Sequence, residues 1–487
     1  MRHARPRLAV ALFATGLALP ALAAPCAGFT DVDDADPFCT SVAWMKNRGI
    51  TLGCTATLYC PGDFVTRLQM AAFMYRLGHQ NAFLQGGNAF GASAVLGTTD
   101  AHAVEVRAGG LRAFRLEPDA ASPNVIGGSP ANAANPSVRG AVIGGGGAAP
   151  GADPWLNLEQ PNRAHDHYAT VAGGMDNRAG SDDGDPTNDW AAAVGGGHGN
   201  VASGGQSVVA GGWGNVASGS SAAVGGGAGN DATASTATVA GGSNNLASGD
   251  YASVGGGLQN VAAGESSTVA GGRSNRADGH YATVPGGQAN RATGFNSVAM
   301  GAGSEAIGSN SFALGRNAEA GSNGCFVFAD SSSVDPTQCG VANAFVARAK
   351  GGFYLITGGS YPSYSGAYLA PGSPTWTTFS DRDGKDNVVG VDAAAVLARV
   401  VSLPIATWNW KAQDASIRHM GPMAQDFHAA FGLGASPHGI DAVDADGVAL
   451  AAIQGLNAKL EAALARRDAE IAALRAEVDA LRRAATR

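Results

Sequence analysis

The chain has 487 residues, of which 72 are glycine and only 7% are aromatic, so much of it cannot bury an ordinary globular core. A repetitive or fibrous structure is expected instead. The net charge of -8, without a basic cluster, excludes the electrostatic pattern of nucleic-acid binders and of polybasic membrane patches.

Residues 1–23 are typical of a secretory signal peptide. Arginines precede an apolar run that is too short to span a bilayer, and the small-residue pattern at 21–23 indicates cleavage after Ala23. Lipidation of Cys26 is the alternative, but Pro25 stands where a lipidated cysteine needs a small residue. No later segment is expected to cross a membrane as a helix. The expected location is therefore outside the cell, secreted or on the cell surface.

Six cysteines fall into two groups, four near the start and two much later. Export would place them in an oxidising compartment, which favours disulfides. Zinc is the alternative for the first four, although no CxxC pair is present. We expect no metal or cofactor. The favoured pairs are Cys26–Cys39, Cys54–Cys60 and Cys325–Cys339.

Residues 24–80 are predicted to form a small module of two amphipathic helices, around 42–45 and 70–74. Its sequence resembles an S-layer homology module. In that family a Thr-Arg-Ala-Glu stretch helps to bind cell-wall polysaccharide, which makes Arg67 the candidate glycan-binding residue. Because Leu68 and Gln69 replace Ala-Glu here, a disulfide-stapled cap domain remains the alternative. The matching landmarks are Phe29-Thr30-Asp31-Val32, Trp44, Gly49-Ile50, Gly53, Phe64 and Thr66-Arg67.

Residues 81–124 are interpreted as a linker that contains a β-hairpin. In the stretch VEVRAGGLRAFRL, apolar and charged residues alternate on either side of Gly109-Gly110, the pattern of two strands joined by a tight turn.

Residues 125–322 are repetitive, with a valine every 15 residues and an asparagine six residues after each valine. The pattern small-x-Val-x-Gly-Gly-x-x-Asn-x-Ala-x-Gly predicts one coil of short strands per repeat. Coils stacked at roughly 4.8 Å would align these residues into a valine ladder and a hydrogen-bonded asparagine ladder. The valines are 194, 209, 224, 239, 254, 269 and 284, and the asparagines are 200, 215, 230, 245, 260, 275 and 290.

An inward face of valine, alanine and glycine buries little apolar area against a backbone entropy cost of roughly 1–2 kcal/mol per residue. Association of identical copies is therefore expected. The repeats, most clearly Ser297–Gly315, resemble the head of trimeric autotransporter adhesins. The resemblance implies a mainly β fold, a left-handed parallel β-roll, in a homotrimer that contacts a cell-wall or host-surface glycan or protein. The β-barrel anchor of that family is not found, so neither adhesion nor outer-membrane attachment is expected simply to carry over.

The insert SDDGDPTNDW at 181–190 interrupts the repeats with four acidic residues. Calcium binding is one interpretation, but the spacing does not follow a calcium loop, and a solvated loop is favoured. Residues 323–379 have strand-like runs and are predicted to form a β neck.

From Ser380 onward glycine becomes rarer and helix formers increase. This region resembles the self-cleaving intramolecular chaperone domain of phage endosialidases and other tail spikes. The resemblance implies that residues 380–448 trimerise, guide folding of the preceding fibre and then cut themselves off. The matched landmarks are Ser380, Asp381, Lys385, Leu403-Pro404, Trp408-Asn409-Trp410, His419, Gly421, Ala424-Gln425-Asp426 and Asp446-Gly447.

Carried over residue by residue, the resemblance makes Ser380 the nucleophile, Lys385 its base and Phe379–Ser380 the scissile bond. A lysine acts as a base only where burial or nearby cations lower its pKa, and a subunit interface can supply that burial. Asp381 and His419 are candidate supporting residues, with a helix cap and a structural role as their alternatives. Gly384 departs from the family, which commonly has a larger residue there.

Residues 449–487 carry apolar residues at heptad spacing and are predicted to form a coiled coil. The leading interpretation is a homotrimeric fibre, like an adhesin or tail fibre, whose only enzymology is a single-turnover self-cleavage. A non-cleaving adhesin that keeps its C-terminal domain as a clamp is the first alternative. A polysaccharide-degrading tail spike is the second, but the repeats lack a recurring pair of acids. One heptad position holds Leu450, Asn457, Leu464, Ile471 and Val478, and the other holds Ile453, Leu460, Arg467, Leu474 and Leu481.

Overall fold

The computed structural model of the chain describes residues 24–78, 95–149, 159–360 and 363–486. It divides into two compact units, residues 1–100 and 101–487. The predicted signal peptide lies outside the described residues. The described residues contain five α-helices, which are α1 (Cys39–Asn47), α2 (Arg67–Gly78), α3 (Ala393–Ser402), α4 (Ala424–Phe431) and α5 (Ala442–Ala485).

The N-terminal unit is built around the buried ring of Phe29. Its strands Pro25–Cys26 and Phe29–Asp33 pair antiparallel, and the disulfide Cys26–Cys39 ties them to the start of α1. A second disulfide, Cys54–Cys60, closes the loop before α2. Gly53 lies at a positive φ of 74°, and a side chain there would collide with the Phe29 ring and with the carbonyls of Leu58 and Thr55. Glycine is therefore required at this position.

The second unit begins with the predicted hairpin, Val104–Ala108 and Leu111–Glu117. Its second strand pairs antiparallel with Asn124–Gly127, so the hairpin extends the first sheet of a β-solenoid and is more than a linker. The solenoid has about 14 turns, which confirms the predicted parallel β architecture.

Each coil contributes one short strand to each of two parallel sheets. The first sheet contains Asn124–Gly127, Val142–Ile143, Thr170–Val171, Ala193–Val194, Val208–Val209, Ala223–Val224, Thr238–Val239, Ser253–Val254, Thr268–Val269, Thr283–Val284, Gly287–Gln288, Val298–Ala302, Phe312–Arg316, Phe326–Ala329 and Phe345–Arg348. The second contains Ala133–Ala134, Arg163–Ala164, Arg178–Ala179, Val201–Ala202, Val216–Ala217, Asp231–Ala232, Leu246–Ala247, Val261–Ala262, Arg276–Ala277, Arg291–Ala292, Glu305–Ala306, Ala318–Ala320 and Thr337–Cys339.

The ladders run through the interior of the solenoid as the 15-residue period predicts. The seven repeat valines are 0–1% exposed, and so are the seven repeat asparagines. An alanine two residues after each asparagine forms a third buried column. The asparagine and the alanine are two residues apart and point to the same side, and the valines reach the same core from the first sheet.

The asparagine ladder satisfies backbone groups at the turn of every coil. The Nδ2 of Asn230 donates to the carbonyls of Gly226 and Gly242, each at 2.9 Å. Its Oδ1 accepts the backbone N–H of Asn245 at 3.0 Å, and its own N–H donates to Asn215 Oδ1 at 2.9 Å. Each asparagine thus connects neighbouring coils, and its role is structural.

The solenoid extends beyond residue 322, where the β neck was predicted to begin. Strands Phe326–Ala329 and Phe345–Arg348 continue the first sheet, and Thr337–Cys339 continues the second. The buried disulfide Cys325–Cys339 joins the two sides of this last part. The predicted boundary was therefore too early, and coil pairing ends at Arg348.

A three-stranded antiparallel sheet follows the solenoid, made of Phe353–Ser360, Ser363–Leu369 and Trp376–Thr378. After it, α3 packs against the first part of α5. The short strands Ala406–Trp408 and His419–Gly421 form an antiparallel pair between α3 and α4.

Helix α5 is long and apolar enough, by length and composition alone, to cross a membrane. The sequence analysis expected no such helix after the signal peptide. That expectation was wrong, because α5 has the length and the hydropathy of a membrane span. Core helices of water-soluble proteins have the same length and composition, however. The heptad spacing of its apolar residues favours a coiled coil for α5.

Candidate active site

Ser380 and Lys385 lie at the two ends of a tight turn that follows the strand Trp376–Thr378. The Asp383 N–H donates to Asp381 Oδ1 at 3.1 Å, and the Lys385 N–H donates to the Arg382 carbonyl at 3.0 Å. These bonds close a turn, which brings the two ends of the segment from Ser380 to Lys385 near each other. The Lys385 Nζ therefore reaches the Ser380 Oγ, to which it donates a hydrogen bond of 2.5 Å.

The peptide bond before Ser380 is held from both sides by the strand Ser363–Leu369. On one side the Phe379 N–H donates to the Gly366 carbonyl at 3.1 Å. On the other side the Ser363 Oγ donates to Asp381 Oδ2 at 3.2 Å. Because the residues flanking Ser380 are both attached to one strand, the serine has a defined position relative to the Phe379 carbonyl.

Aromatic rings fix the Phe379 side chain as well. Its ring centroid lies 4.9 Å from that of Tyr368 and 5.9 Å from that of Tyr364, the latter in an edge-to-face arrangement. The sequence analysis did not identify Ser363, Tyr364 or Tyr368 as parts of the site. Two tyrosines four residues apart in the strand just upstream, Tyr364 and Tyr368, were the available signal.

Asp381 is part of this arrangement, but it does not cap a helix. The next helix, α3, begins later and is capped by Asp392, whose carboxylate accepts the N–H groups of Ala394 and Ala395. The departure at Gly384 has no steric cause. A Cβ there would lie 3.7 Å from the Asp381 carbonyl oxygen and from the Ser363 Cβ, so a larger residue would fit.

His419 occupies a separate cluster. Its ring stacks on Trp408 with centroids 4.8 Å apart, and its Nε2 lies 2.9 Å from Gln413 Oε1. Among the described residues, no hydrogen bond joins His419 to Ser380, Asp381 or Lys385. The structure therefore brings together the serine, the lysine and the aspartate, while the histidine contacts Trp408 and Gln413.

The dyad is open to solvent in the single chain. Ser380, Asp381 and Lys385 are all exposed. The segment that follows exposes two neighbouring valines, Val388 at 78% and Val389 at 82%. The arrangement therefore has the geometry of a nucleophile and base without the burial that a lysine base requires.

The remaining sequence-predicted residues lie elsewhere. Arg67 is exposed in the first turn of α2. The Gln69 side chain accepts the Thr66 N–H at 2.8 Å while the Gln69 N–H donates to Thr66 Oγ1, a reciprocal cap that glutamine supports as well as glutamate does.

The acidic insert binds its own backbone. Asp183 accepts the N–H of Asp185 at 2.9 Å, and Asp185 accepts the N–H of Thr187 at 3.0 Å. Hydrogen bonding to His165 holds the pKa of the Asp182 carboxyl below its usual value. Within the described ranges, no group of three or more His, Cys, Asp or Glu residues is placed to hold a metal ion.

Two family models match parts of the chain. Residues 380–432 match the model described as chaperone of endosialidase, and residues 292–318 match two copies of the YadA head domain repeat. No curated protein matches the chain. The comparisons give no support to the S-layer homology resemblance of residues 24–80.

Both matches fall where the sequence resemblances place them. The first family is an autoproteolytic chaperone domain, and its matched region begins at Ser380 and includes Lys385. Together the two families support a trimeric protein like an adhesin or a tail fibre, and the head repeats indicate a cell-surface adhesin.

Proposed function

We propose that this chain forms a secreted or cell-surface homotrimeric fibre whose C-terminal part, from Ser380 onward, assists assembly and then cleaves itself off. The observation that carries the proposal is the 2.5 Å hydrogen bond from Lys385 Nζ to Ser380 Oγ, at the first residue of the region that matches the endosialidase chaperone. The bond to be cut is Phe379–Ser380. The fibre itself has no other activity.

The chemistry requires only the chain and one water. The Ser380 Oγ attacks the Phe379 carbonyl carbon while its proton passes to the neutral Lys385 amine. The tetrahedral intermediate collapses as the peptide C–N bond breaks, and the Ser380 nitrogen takes up a proton. An ester then links Phe379 to the Ser380 Oγ. Water hydrolyses that ester, which leaves a carboxylate on Phe379 and a free amino group and hydroxyl on Ser380.

Exposure of the dyad couples this reaction to assembly. Because Lys385 is solvent-exposed in one chain, a neighbouring subunit has to supply the desolvation that releases the amine's proton. Val388 and Val389 extend from the same segment and offer the apolar surface that a neighbour would cover. Cleavage would then follow association and never precede it.

Electrophoresis and N-terminal sequencing test the proposal. The purified wild-type protein should contain a small fragment that begins at Ser380, and Ser380→Ala and Lys385→Ala should both abolish it. Lys385→Arg should also abolish it, because arginine keeps the charge and the hydrogen bond but cannot act as a base. Lys411→Ala, which removes another exposed lysine of the same domain, should cleave normally. An assembled wild-type fibre that contains only intact chains would rule out the peptidase activity.

The alternative is an uncut fibre that keeps its C-terminal domain as a clamp. The solvent exposure of Ser380 and Lys385 is the observation that favours it, because a desolvated lysine base is absent from the single chain. In that case Ser380→Ala and wild type would give identical bands and equally stable assemblies.

The N-terminal unit is proposed to attach the fibre to a cell-wall or host-surface glycan, or to cap it. Exposed Arg67 is the candidate contact. Arg67→Ala should weaken binding of the full chain to purified cell-wall polysaccharide. Equal binding by the wild type and the variant would argue against a glycan contact at Arg67 and favour the role of a cap.

A further inference from the structure

The strand Ser363–Leu369, which we call the clamp strand, lies on the other side of the proposed scissile bond from the dyad. It is the central strand of the three-stranded sheet that follows the solenoid. Because it precedes Phe379 in the chain, it would stay with the fibre after cleavage, whereas Ser380 and Lys385 would leave with the C-terminal domain. Contacts across the bond therefore connect the part that cuts with the part that is left behind.

The residues before the scissile bond pair with the clamp strand in the way that an extended peptide adds a strand to a sheet. Ala367 lies opposite Thr378 in the antiparallel ladder. The Phe379 N–H donates to the Gly366 carbonyl at 3.1 Å, which continues the same register by one residue. In peptide recognition of this kind, main-chain hydrogen bonds supply affinity and side-chain contacts decide which residue is accepted. The ladder ends at the residue whose carbonyl Ser380 would attack.

The side chain of Phe379 is held by rings of the same sheet. The residue opposite it is Gly366, which has no side chain, so its neighbours on the clamp strand are the diagonal residues Tyr364 and Tyr368. Their ring centroids lie 5.9 Å and 4.9 Å from that of Phe379. Tyr368 in turn stacks on Tyr354 of the first strand, with centroids 5.6 Å apart and planes 7° apart. The Phe379 ring thus completes a stack of three rings that begins on the far strand of the sheet.

Asp381 joins the turn of the dyad to the clamp strand on the other side of the scissile bond. Its Oδ2 accepts a hydrogen bond from the Ser363 Oγ at 3.2 Å, and its Oδ1 accepts the N–H of Asp383, which lies in the turn between Ser380 and Lys385. A displacement of about 1 Å at a reacting group can lower a rate about a hundredfold. Contacts that hold both flanks of the bond therefore bear directly on the reaction.

We infer that the clamp strand binds the residues before the scissile bond as a substrate. Tyr364 and Tyr368 select an aromatic side chain at position 379, and Ser363 acts through Asp381 as a positioning residue for the serine nucleophile. The inference rests on the proposed self-cleavage and adds the substrate-binding part of the site. Since the clamp strand stays with the fibre, the released domain carries the serine and the lysine without a strand to hold a second substrate. Cleavage therefore ends after one turnover.

The test follows cleavage of the full chain over time, by pulse–chase labelling during cell-free synthesis and electrophoresis. Phe379→Ala and Tyr368→Ala each remove one partner of the shorter ring contact, and each should slow cleavage about tenfold. Phe379→Tyr and Tyr368→Phe keep both rings and should cleave at nearly the parental rate. The control, Tyr251→Ala, removes an exposed tyrosine of the solenoid and should cleave at the parental rate.

A double-mutant cycle distinguishes a contact between the two rings from a general loss of structure. Phe379→Ala combined with Tyr368→Ala should cleave about tenfold more slowly than the parent, like either single variant. Independent effects would multiply to about a hundredfold, and that result would overturn the inference.

Phe379→Leu keeps the test decisive if Tyr368→Ala does not assemble, as sedimentation would show. Leucine keeps an apolar side chain of similar size without the ring, so this variant should cleave as slowly as Phe379→Ala. Cleavage of Phe379→Leu at the rate of Phe379→Tyr would contradict selection of an aromatic residue, and so would parental cleavage of Phe379→Ala.

The contact between Ser363 and Asp381 is tested in the same assay. Ser363→Ala should slow cleavage about fivefold, the effect of one hydrogen bond, and Ser363→Thr, which keeps the hydroxyl, should not. In a chain that already carries Asp381→Ala, the Ser363→Ala change should have no further effect, and a further fivefold loss would contradict the positioning role. A parent that never cleaves would overturn the proposed function together with this inference. A parent that cleaves while all these variants match it would overturn the inference alone.

Discussion

The solenoid and the C-terminal domain differ in how much of their apolar interior one chain can cover. In the solenoid the valine and alanine columns are 0–1% exposed. In the C-terminal domain α3 has no buried residue, and α5 has only four in 44 residues. The sequence analysis assigned the need for association to the thin core of the solenoid. The structure also leaves apolar side chains exposed beside the dyad, at Val388 and Val389, and at the heptad positions of α5, for example at Leu474 and Leu481.

This difference separates two sources of stability. The solenoid is closed by hydrogen-bonded ladders within one chain, so local substitutions should act on its interior directly. The C-terminal domain has little interior of its own, so its substitutions should act on helix contacts and on association.

The largest expected effect is on the asparagine ladder. Asn230→Ala would leave the Gly226 carbonyl and the Asn245 N–H without partners in the interior, at about 1–3 kcal/mol each, while the Gly242 carbonyl would keep the Ala228 N–H. We expect a loss of about 2–4 kcal/mol in local stability. Hydrogen exchange of the amides in this coil and its neighbours measures the loss. Ser248→Ala, at an exposed position nearby, is the control, and equal exchange in both variants would show that the ladder is dispensable.

An intermediate effect is expected where α5 crosses α3. A Cβ at Gly455 would collide with the Ala393 carbonyl and lie 3.1 Å from the Leu397 Cβ, so Gly455→Ala should cost about 1–3 kcal/mol. Gly447→Ala lies in the same helix with open space around the new methyl group, and should stabilise it by about 0.5–1 kcal/mol. Thermal melting of the helical signal should move in opposite directions for the two variants. Shifts of the same sign would mean that this contact does not hold the domain together.

The smallest expected effect concerns Asp231, which stands between Val216 and Leu246 on the outer face of the second sheet. Burial raises the pKa of its carboxyl. A carboxyl with a raised pKa binds its proton more tightly in the folded chain, so the solenoid should gain stability as the pH falls through that pKa. Asp231→Val should add about 0.5–1 kcal/mol at neutral pH and remove this pH dependence.

Asp231→Asn, which keeps the shape and removes the charge, should show the same flat pH profile with a smaller gain. Melting curves of the three proteins between mildly acidic and neutral pH measure the effect. A wild-type solenoid that loses stability as the pH falls over this range would contradict the assignment to Asp231.

The repeat pattern made the solenoid predictable because a strict period leaves one way to stack the valines and asparagines. The boundary at 322 was wrong because the spacing changes. Phe312 pairs with Phe326 after 14 residues, but Phe326 pairs with Phe345 only after a longer loop closed by Cys325–Cys339. Nor does the period reveal that non-glycine turn residues such as Thr236 and Tyr251 adopt positive φ values of 57° and 59°.

The candidate site was predictable only in part. The spacing of Ser380 and Lys385 is local, and a turn brings the two residues together. The attachment of Phe379 and Asp381 to the strand Ser363–Leu369 depends on tertiary contacts that no motif encodes. The same holds for His419, whose stacking on Trp408 places it in a different cluster from the one that the resemblance suggested.

In the solenoid, each coil bonds to the coil before it and the coil after it, and its side chains align with the same positions in both. Duplication or deletion of one 15-residue unit would therefore change the reach of the fibre by one rung of roughly 4.8 Å and leave every remaining ladder intact. A gene that encodes such a protein can adjust the distance its fibre spans by unequal recombination between repeats, without compensating substitutions in the core.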